Sequence, residues 1–311
     1  MPVRRRHTRR ARARRGGRRL AILLLFIAAG IASYGLWHHV RISGTPARQI
    51  KHVARLASPL PAASAARTGR QELSPSPSPS PAATASPARG GAKLAIIIDD
   101  CGYSLPHDEQ FLKLPIPVTL SILPMTPHAR DIAAAAAAAG KAIILHLPME
   151  PEVAGPHADP GPGAITTAMS DAQVQAQVEA DLAALPAVPG ANNHMGSKAT
   201  SDPRVMRDVL DVFKRDNLFF IDSMTSPASV GFSTARELGV PTAARDVFLD
   251  NQATLSFVEE QLRNAQAVAL RQGSAIAIGH PNAATAQALA AMIPEIQAAG
   301  VTFVPVEQLA R

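Results

Sequence analysis

The chain has one cysteine, Cys101, in 311 residues. No disulfide can therefore form within it, and cysteine usage leaves the redox compartment open. Aromatic residues with a polar handle are as scarce, since beyond residue 93 there is one tyrosine, Tyr103, and no tryptophan. Positive charge is thin in the same part. Residues 93–311 hold 14 Lys/Arg against 23 Asp/Glu, a net charge of −9, which excludes nucleic acid as the natural partner of this region. The overall charge of +7 and the pI of about 10.2 belong to the first 92 residues.

Acidic residues are what the N-terminus lacks. Residues 4–19 carry ten arginines and no acid. Residues 20–37 follow as an uncharged apolar run of 18 residues, which as a helix spans about 27 Å, close to the thickness of a bilayer's hydrocarbon core. The pattern predicts a cytoplasmic arm (1–19), an inner-membrane signal anchor (20–37), and everything later in the periplasm. Cleavage near Gly30-Ile31-Ala32, giving a secreted protein, is the alternative. Residues 38–92 show no periodicity and include Ser-Pro repeats from Ser74 to Pro81. Such a composition cannot bury enough surface to offset chain entropy, so a disordered linker is expected there.

Residues 93–311 alternate between strand and helix patterns. Leu94 to Tyr103 reads Leu-Ala-Ile-Ile-Ile-Asp-Asp-Cys-Gly-Tyr, a buried strand running into two adjacent carboxylates and a glycine turn. Further strands are expected at 117–122, 142–145, 218–221, 247–249, 275–278 and 301–304, with Gly190 to Asn193 leading to another strand end at His194, and helices at 127–139, from Ser170, from Asp202-Pro203, at 259–271 and at 283–299. About seven to eight β-α units suit a deformed (β/α) barrel, and a doubly wound open sheet fits the same pattern.

Polar residues recur where the expected strands end: Asp99 and Asp100, His146, Asn193 and His194, Asp222, Asp250, His280. In a parallel barrel these ends meet at one rim. An Asp, His, His set drawn from these ends is suited to a hydrolytic divalent ion such as zinc, with a position left for water. A bound ion brings the water pKa towards about 7, a second carboxylate can take its proton, and a histidine opposite can protonate a leaving group.

The runs Ile-Ile-Ile-Asp-Asp-x-Gly, His146-Leu-Pro-Met-Glu150-Pro, Asn192-Asn193-His194-Met-Gly-Ser197 and Ile278-Gly-His280-Pro resemble those of the divergent polysaccharide deacetylases, distant relatives of the metal-dependent chitooligosaccharide and peptidoglycan deacetylases. The resemblance covers residues 93–311 and implies a deformed (β/α) barrel acting on an envelope glycan. By similarity Asp99 matches the catalytic base, Asp100 the metal-binding carboxylate and His280 the general acid. The wider superfamily carries its second ligand histidine four residues after the first; here that position is Glu150, so His194 is assigned the role. Glu150, Asn193, Ser197, Asp222 and Asp250 are expected to support the ligands or the substrate. No Arg-Pro-Pro-Tyr-type motif is present. A membrane-tethered glycan-binding or scaffold protein on the same fold, without catalysis, is the competing reading.

The topology is open to a direct check. A reporter active only in the periplasm, fused after Arg311, is expected to work; activity of a cytoplasm-only reporter there overturns the assignment.

Overall fold

The computed structural model describes residues 91–311 apart from 154, 156 and 157. The arginine-rich arm, the anchor and nearly all of the linker lie outside these residues. No helix among the described residues is long and apolar enough to cross a membrane.

Among the described residues nine strands form one sheet: β1 (Ala92–Cys101), β2 (Val118–Ile122), β3 (Ala142–Met149), β4 (Gly190–Met195), β5 (Phe219–Asp222), β6 (Thr242–Ala244), β7 (Val247–Phe248), β8 (Ser274–Gly279) and β9 (Val301–Phe303). Their order is β6-β5-β4-β3-β2-β1-β8-β7, with β9 beside the start of β1, and every pairing is parallel. Strands β1 to β6 lie side by side in chain order. A doubly wound sheet would reverse direction partway, so that alternative is excluded. The two edge strands, β6 and β7, are successive parts of one extended segment. Arg245 N–H donates to the Asp222 carbonyl and Asp246 N–H to the Ile276 carbonyl. The curled sheet thus returns on itself through residues 242–248, as a deformed parallel barrel.

Among the described residues seven α-helices follow the strands: α1 (Leu105–Leu112), α2 (Ala129–Ala138), α3 (Asp171–Ala184), α4 (Pro203–Arg215), α5 (Gly231–Leu238), α6 (Leu255–Gln272) and α7 (Ala283–Ala298). Their ends obey local chemistry. Ser170 and Gln173 form a reciprocal capping box on α3, Asp202 caps α4 ahead of Pro203, Asn282 caps α7, and Gly273 closes α6 in the left-handed conformation. Helices α1 and α5 and strand β6 have no counterpart among the expected elements, being eight, eight and three residues long with little periodicity to read.

Alternation along the strands sorts the core into two clusters. Leu94, Ile96 and Ile98 of β1, with Val118, Leu120 and Ile122 of β2, pack outward against the helices. The intervening Ala95 and Ile97, with Ile144, Phe219, Ile221, Ile276 and Ile278, fill the barrel interior together with Val304, Val306 and Leu309 from the C-terminal segment. That segment seats at the end where the strands begin: Val306 N–H donates to Thr119 Oγ1 and Val304 N–H to the Leu94 carbonyl. The lower interior is therefore apolar and plugged. At 25 cal/mol per Å² this burial is the main stabilising contribution.

One buried carboxyl stands apart from the site. Asp181 of α3 is fully buried, its Oδ1 accepts from Gln177 Nε2 at 3.0 Å, and its Oδ2 has no partner among the described residues. It lies against Gly163, where an added Cβ would sit 2.5 Å from Oδ1. Burial pushes its pKa up to about 7. Between the ordinary carboxylate range and that value the folded chain holds a proton that the unfolded chain has lost. Stability therefore falls as pH rises through this window. Asp181→Asn is expected to raise Tm by about 5 °C at pH 8 and by clearly less at pH 5, read by thermal unfolding. An equal shift at both pH values would contradict this.

Candidate metal centre

Above the apolar floor the inward positions turn polar. Continuing the inward series of each strand gives Asp99 on β1, Ser121 on β2, His146 on β3, Asn192 and His194 on β4, Ser223 just past β5 and His280 just past β8. Strands β1, β3 and β4 extend beyond the residues expected to end them. His146 and His194 are thus held within ladders, His194 directly across from Pro148.

Asp100 breaks the alternation. Between β1 and β2 the register runs from Ile98 opposite Leu120 to Cys101 opposite Ile122, one extra residue on β1. That bulge contains Asp100 at φ 56°, a left-handed conformation unusual outside glycine. It brings Asp100 onto the face that Asp99 already occupies. Gly102 (φ 111°) completes the turn, and a Cβ there would lie 2.1 Å from Thr126 Oγ1. Met195 (φ 49°) and Met224 (φ 50°) repeat the left-handed conformation at the ends of β4 and β5. Such backbone strain concentrates where side chains must be aimed.

The structure brings Asp100, His146 and His194 together. Asp100 Oδ1 lies 2.9 Å from His194 Nδ1 and 3.2 Å from His146 Nε2, and the two nitrogens are 3.2 Å apart. Donor atoms of a tetrahedral zinc site stand about 3.3 Å apart, so a small outward shift of these atoms around an ion meets the requirement. Among the described residues Asp100 Oδ1 is buried with no hydrogen-bond partner, an orphaned acceptor of the kind that a cation satisfies. Burial raises the Asp100 pKa, but the two imidazoles outweigh it and hold the carboxyl ionised, well below the usual range. The donor set therefore fits a divalent metal.

Two groups flank the trio. Asp99 is buried; its Oδ1 accepts from Asn192 Nδ2 at 2.8 Å and its Oδ2 lies 3.7 Å from His146 Nε2. On the other side His280 Nε2 is 3.8 Å from Asp100 Oδ2, and its Nδ1 is 2.9 Å from Asp250 Oδ1. Asp250 Oδ2 accepts from the His280 backbone N–H, Asn282 Nδ2 and Thr285 Oγ1. Burial alone would lower the His280 pKa, yet the Asp250 carboxylate carries it up to about 9. Burial raises the Asp250 pKa and its bonds to His280 more than reverse that.

The other sequence candidates lie elsewhere. Glu150 accepts from Thr167 N–H and Oγ1 and from Lys198 Nζ, and so ties the loop after β3 to the one after β4 rather than orienting a histidine. Asn193 points away from the trio by strand parity. Its Oδ1 accepts from Ser223 N–H and its Nδ2 donates to the Met195 carbonyl. Asp222 also faces outward and accepts from Ser229 Oγ and Phe232 N–H at the start of α5. Ser197 Oγ accepts from Glu152 N–H. The residues missed in sequence are Ser121, Asn192 and Ser223, all buried beneath the trio. Parity was the available signal, since Asn192, not Asn193, shares a face with His194.

The sequence profile of the divergent polysaccharide deacetylases matches residues 96–310. The uncharacterized protein YibQ of Escherichia coli K12 is 36% identical over 211 residues, 68% of this chain and 65% of that protein, so the match spans just under two thirds of the relative. An uncharacterized protein of Haemophilus influenzae is 38% identical over 200 residues, 64% of this chain and 70% of its own length. Among solved structures, an uncharacterized protein of Agrobacterium tumefaciens C58 superposes with a TM-score of 0.68 at 22% identity, covering 73% of this chain and 92% of that one, which establishes a shared fold.

Single replacements separate ligands from neighbours. Asp100→Ala, His146→Ala and His194→Ala are each expected to abolish stoichiometric zinc binding, read by metal analysis after gel filtration, whereas Asp99→Asn keeps the metal. Zinc retained by Asp100→Ala and lost by Asp99→Asn would exchange their roles.

Proposed function

The chain belongs to the divergent polysaccharide deacetylases, and on that premise we propose that it removes N-acetyl groups from an envelope polysaccharide of the peptidoglycan type, with zinc held by Asp100, His146 and His194. The observation that carries the proposal is the placing of a buried carboxylate, Asp99, and an imidazole paired to a carboxylate, His280, on either side of the trio. A divalent ion bound there would lower the pKa of water and polarise the acetyl carbonyl. Asp99 has one oxygen engaged by Asn192 and the other turned toward the ligand nitrogens, and that free oxygen is placed to accept a proton. His280, kept cationic by Asp250, is placed to give a proton to the departing sugar amine. The two roles need a base and an acid at the same pH, which a carboxylate on one side and an imidazole paired to Asp250 on the other can supply.

Apolar surface around the mouth supports a glycan ligand. Tyr103, Met125 and Val153 are exposed on the loops after β1, β2 and β3. A flat ring such as that of Tyr103 can lie against the C–H face of a sugar, burying apolar area while the hydroxyls stay solvated, and Met125 and Val153 add apolar contact beside it. Tyr103 also lies beside Gly161 of the loop after β3, where an added Cβ would be 3.7 Å from its hydroxyl. For location we propose anchorage in the inner membrane through residues 20–37 with the barrel in the periplasm, or release there after cleavage. The linker joins at the start of β1, the end of the barrel opposite the trio.

Acetate release from an N-acetylglucosamine oligomer by the zinc-loaded protein tests the reading. His280→Asn is expected to keep the metal and lose about 10²- to 10⁴-fold in kcat, the usual contribution of one acid or base. Tyr103→Ala should raise KM and leave kcat nearly unchanged. Zinc binding and glycan affinity without any acetate release would favour the binding-protein reading instead.

A further inference from the structure

Asn192 sits on β4, fully buried, and its side-chain amide uses all four of its hydrogen-bonding positions. The amide nitrogen donates to Asp99 Oδ1 at 2.8 Å and to Ser223 Oγ at 3.1 Å. The amide oxygen accepts from Ser121 Oγ at 2.5 Å and lies 2.8 Å from His146 Nδ1. We propose that Asn192 is a positioning residue that fixes the ring tautomer of the ligand His146 and links it to Asp99.

The argument starts from Asp99. A carboxylate only accepts, so the group facing its Oδ1 at 2.8 Å must be the N–H side of the amide. Turning the amide over would set two oxygens against each other at that distance. The carbonyl side therefore faces His146, and it too only accepts, so the proton of the neutral ring resides on Nδ1. The lone pair is then on Nε2, the atom that approaches Asp100 Oδ1 and His194 Nδ1. Ser121 and Ser223 occupy the remaining oxygen lone pair and N–H, which prevents the amide from rotating out of this arrangement. One side chain thus aims a ligand lone pair and steadies the neighbouring carboxylate. Asn193, one position along, faces the other way and takes no part.

The test uses the full-length chain, with zinc alone as the first probe. Asn192→Leu removes the acceptor and should weaken zinc binding about 10- to 100-fold, the usual cost of losing a group that orients a metal ligand. Asn192→Asp keeps an acceptor for His146 and Ser121, so zinc affinity is expected within about threefold of wild type. It also sets a second carboxyl against Asp99, and two carboxyls at that distance share a proton. The acid limb of kcat/KM for acetate release should then move to higher pH by about one unit or more. A purely structural asparagine would make the two variants equally defective. Wild-type zinc affinity in a folded Asn192→Leu protein, or a loss in Asn192→Asp as large as in Asn192→Leu, overturns the proposal. If Asn192→Leu does not fold, a more than tenfold loss of zinc affinity in Asn192→Asp overturns it. The pH limb rests on the deacetylase reading. Should wild type release no acetate, that reading fails alone and the zinc comparison still decides the tautomer.

Discussion

A strand shows every second side chain to one face, so two adjacent carboxylates can serve one site only where the alternation breaks. The bulge at Asp100 is that break. Asp99 keeps the inward parity of Ala95 and Ile97, and Asp100 joins it through a left-handed backbone conformation. Without the extra residue, the carboxylate that meets both imidazoles would face the helices. Everything else at the site is regular by comparison: His146, Asn192 and His194 reach the interior through ordinary parity on neighbouring parallel strands. The strain at Asp100 is sustained because β1 pairs on both sides, with β2 and β8, and is buried almost throughout.

The same alternation builds two storeys in one barrel. Low in the interior, small and branched apolar side chains pack against the C-terminal segment and exclude water. One or two residues further along each strand, the inward positions carry Asp, Ser, His and Asn, whose hydrogen bonds are nearly all made to one another. A low-dielectric floor under a satisfied polar layer makes each charge there more consequential, which is why Asp250 can hold His280 cationic despite its burial. Among the described residues, Asp100 Oδ1 is buried in this layer without a hydrogen-bond partner, where the ligand nitrogens converge.

Much of this was legible in the sequence, for reasons that differ between residues. The parallel strand-helix alternation, the paired Asp and the three histidine runs stand out because buried parallel strands are uninterrupted apolar runs and their ends are conspicuously polar. The choice between barrel and open sheet was not legible, because it depends on which strands are neighbours, and periodicity carries no such information. Glu150 looked like support for a ligand because it shares a motif with His146. Four residues on it has left the strand, and Lys198 and Thr167 claim it instead. Asn192 and Asn193 were indistinguishable as a pair until strand parity was counted outward from His194. The bulge could not be read at all, since nothing in Asp-Asp-Cys-Gly distinguishes a turn at Gly102 from an extra residue at Asp100.

The central claim is that the bulge presents Asp100, with two imidazoles, as a three-ligand metal centre. X-ray absorption at the zinc edge of the loaded protein, paired with an anomalous difference map from a zinc-soaked crystal, tests it most directly. The account expects one ion with two imidazole nitrogens and one carboxylate oxygen at about 2.0–2.2 Å, the oxygen belonging to Asp100. Ligation by Asp99, Glu150 or the Cys101 sulfur in place of Asp100, or an ion seated away from the β1–β3–β4 strand ends, would contradict it.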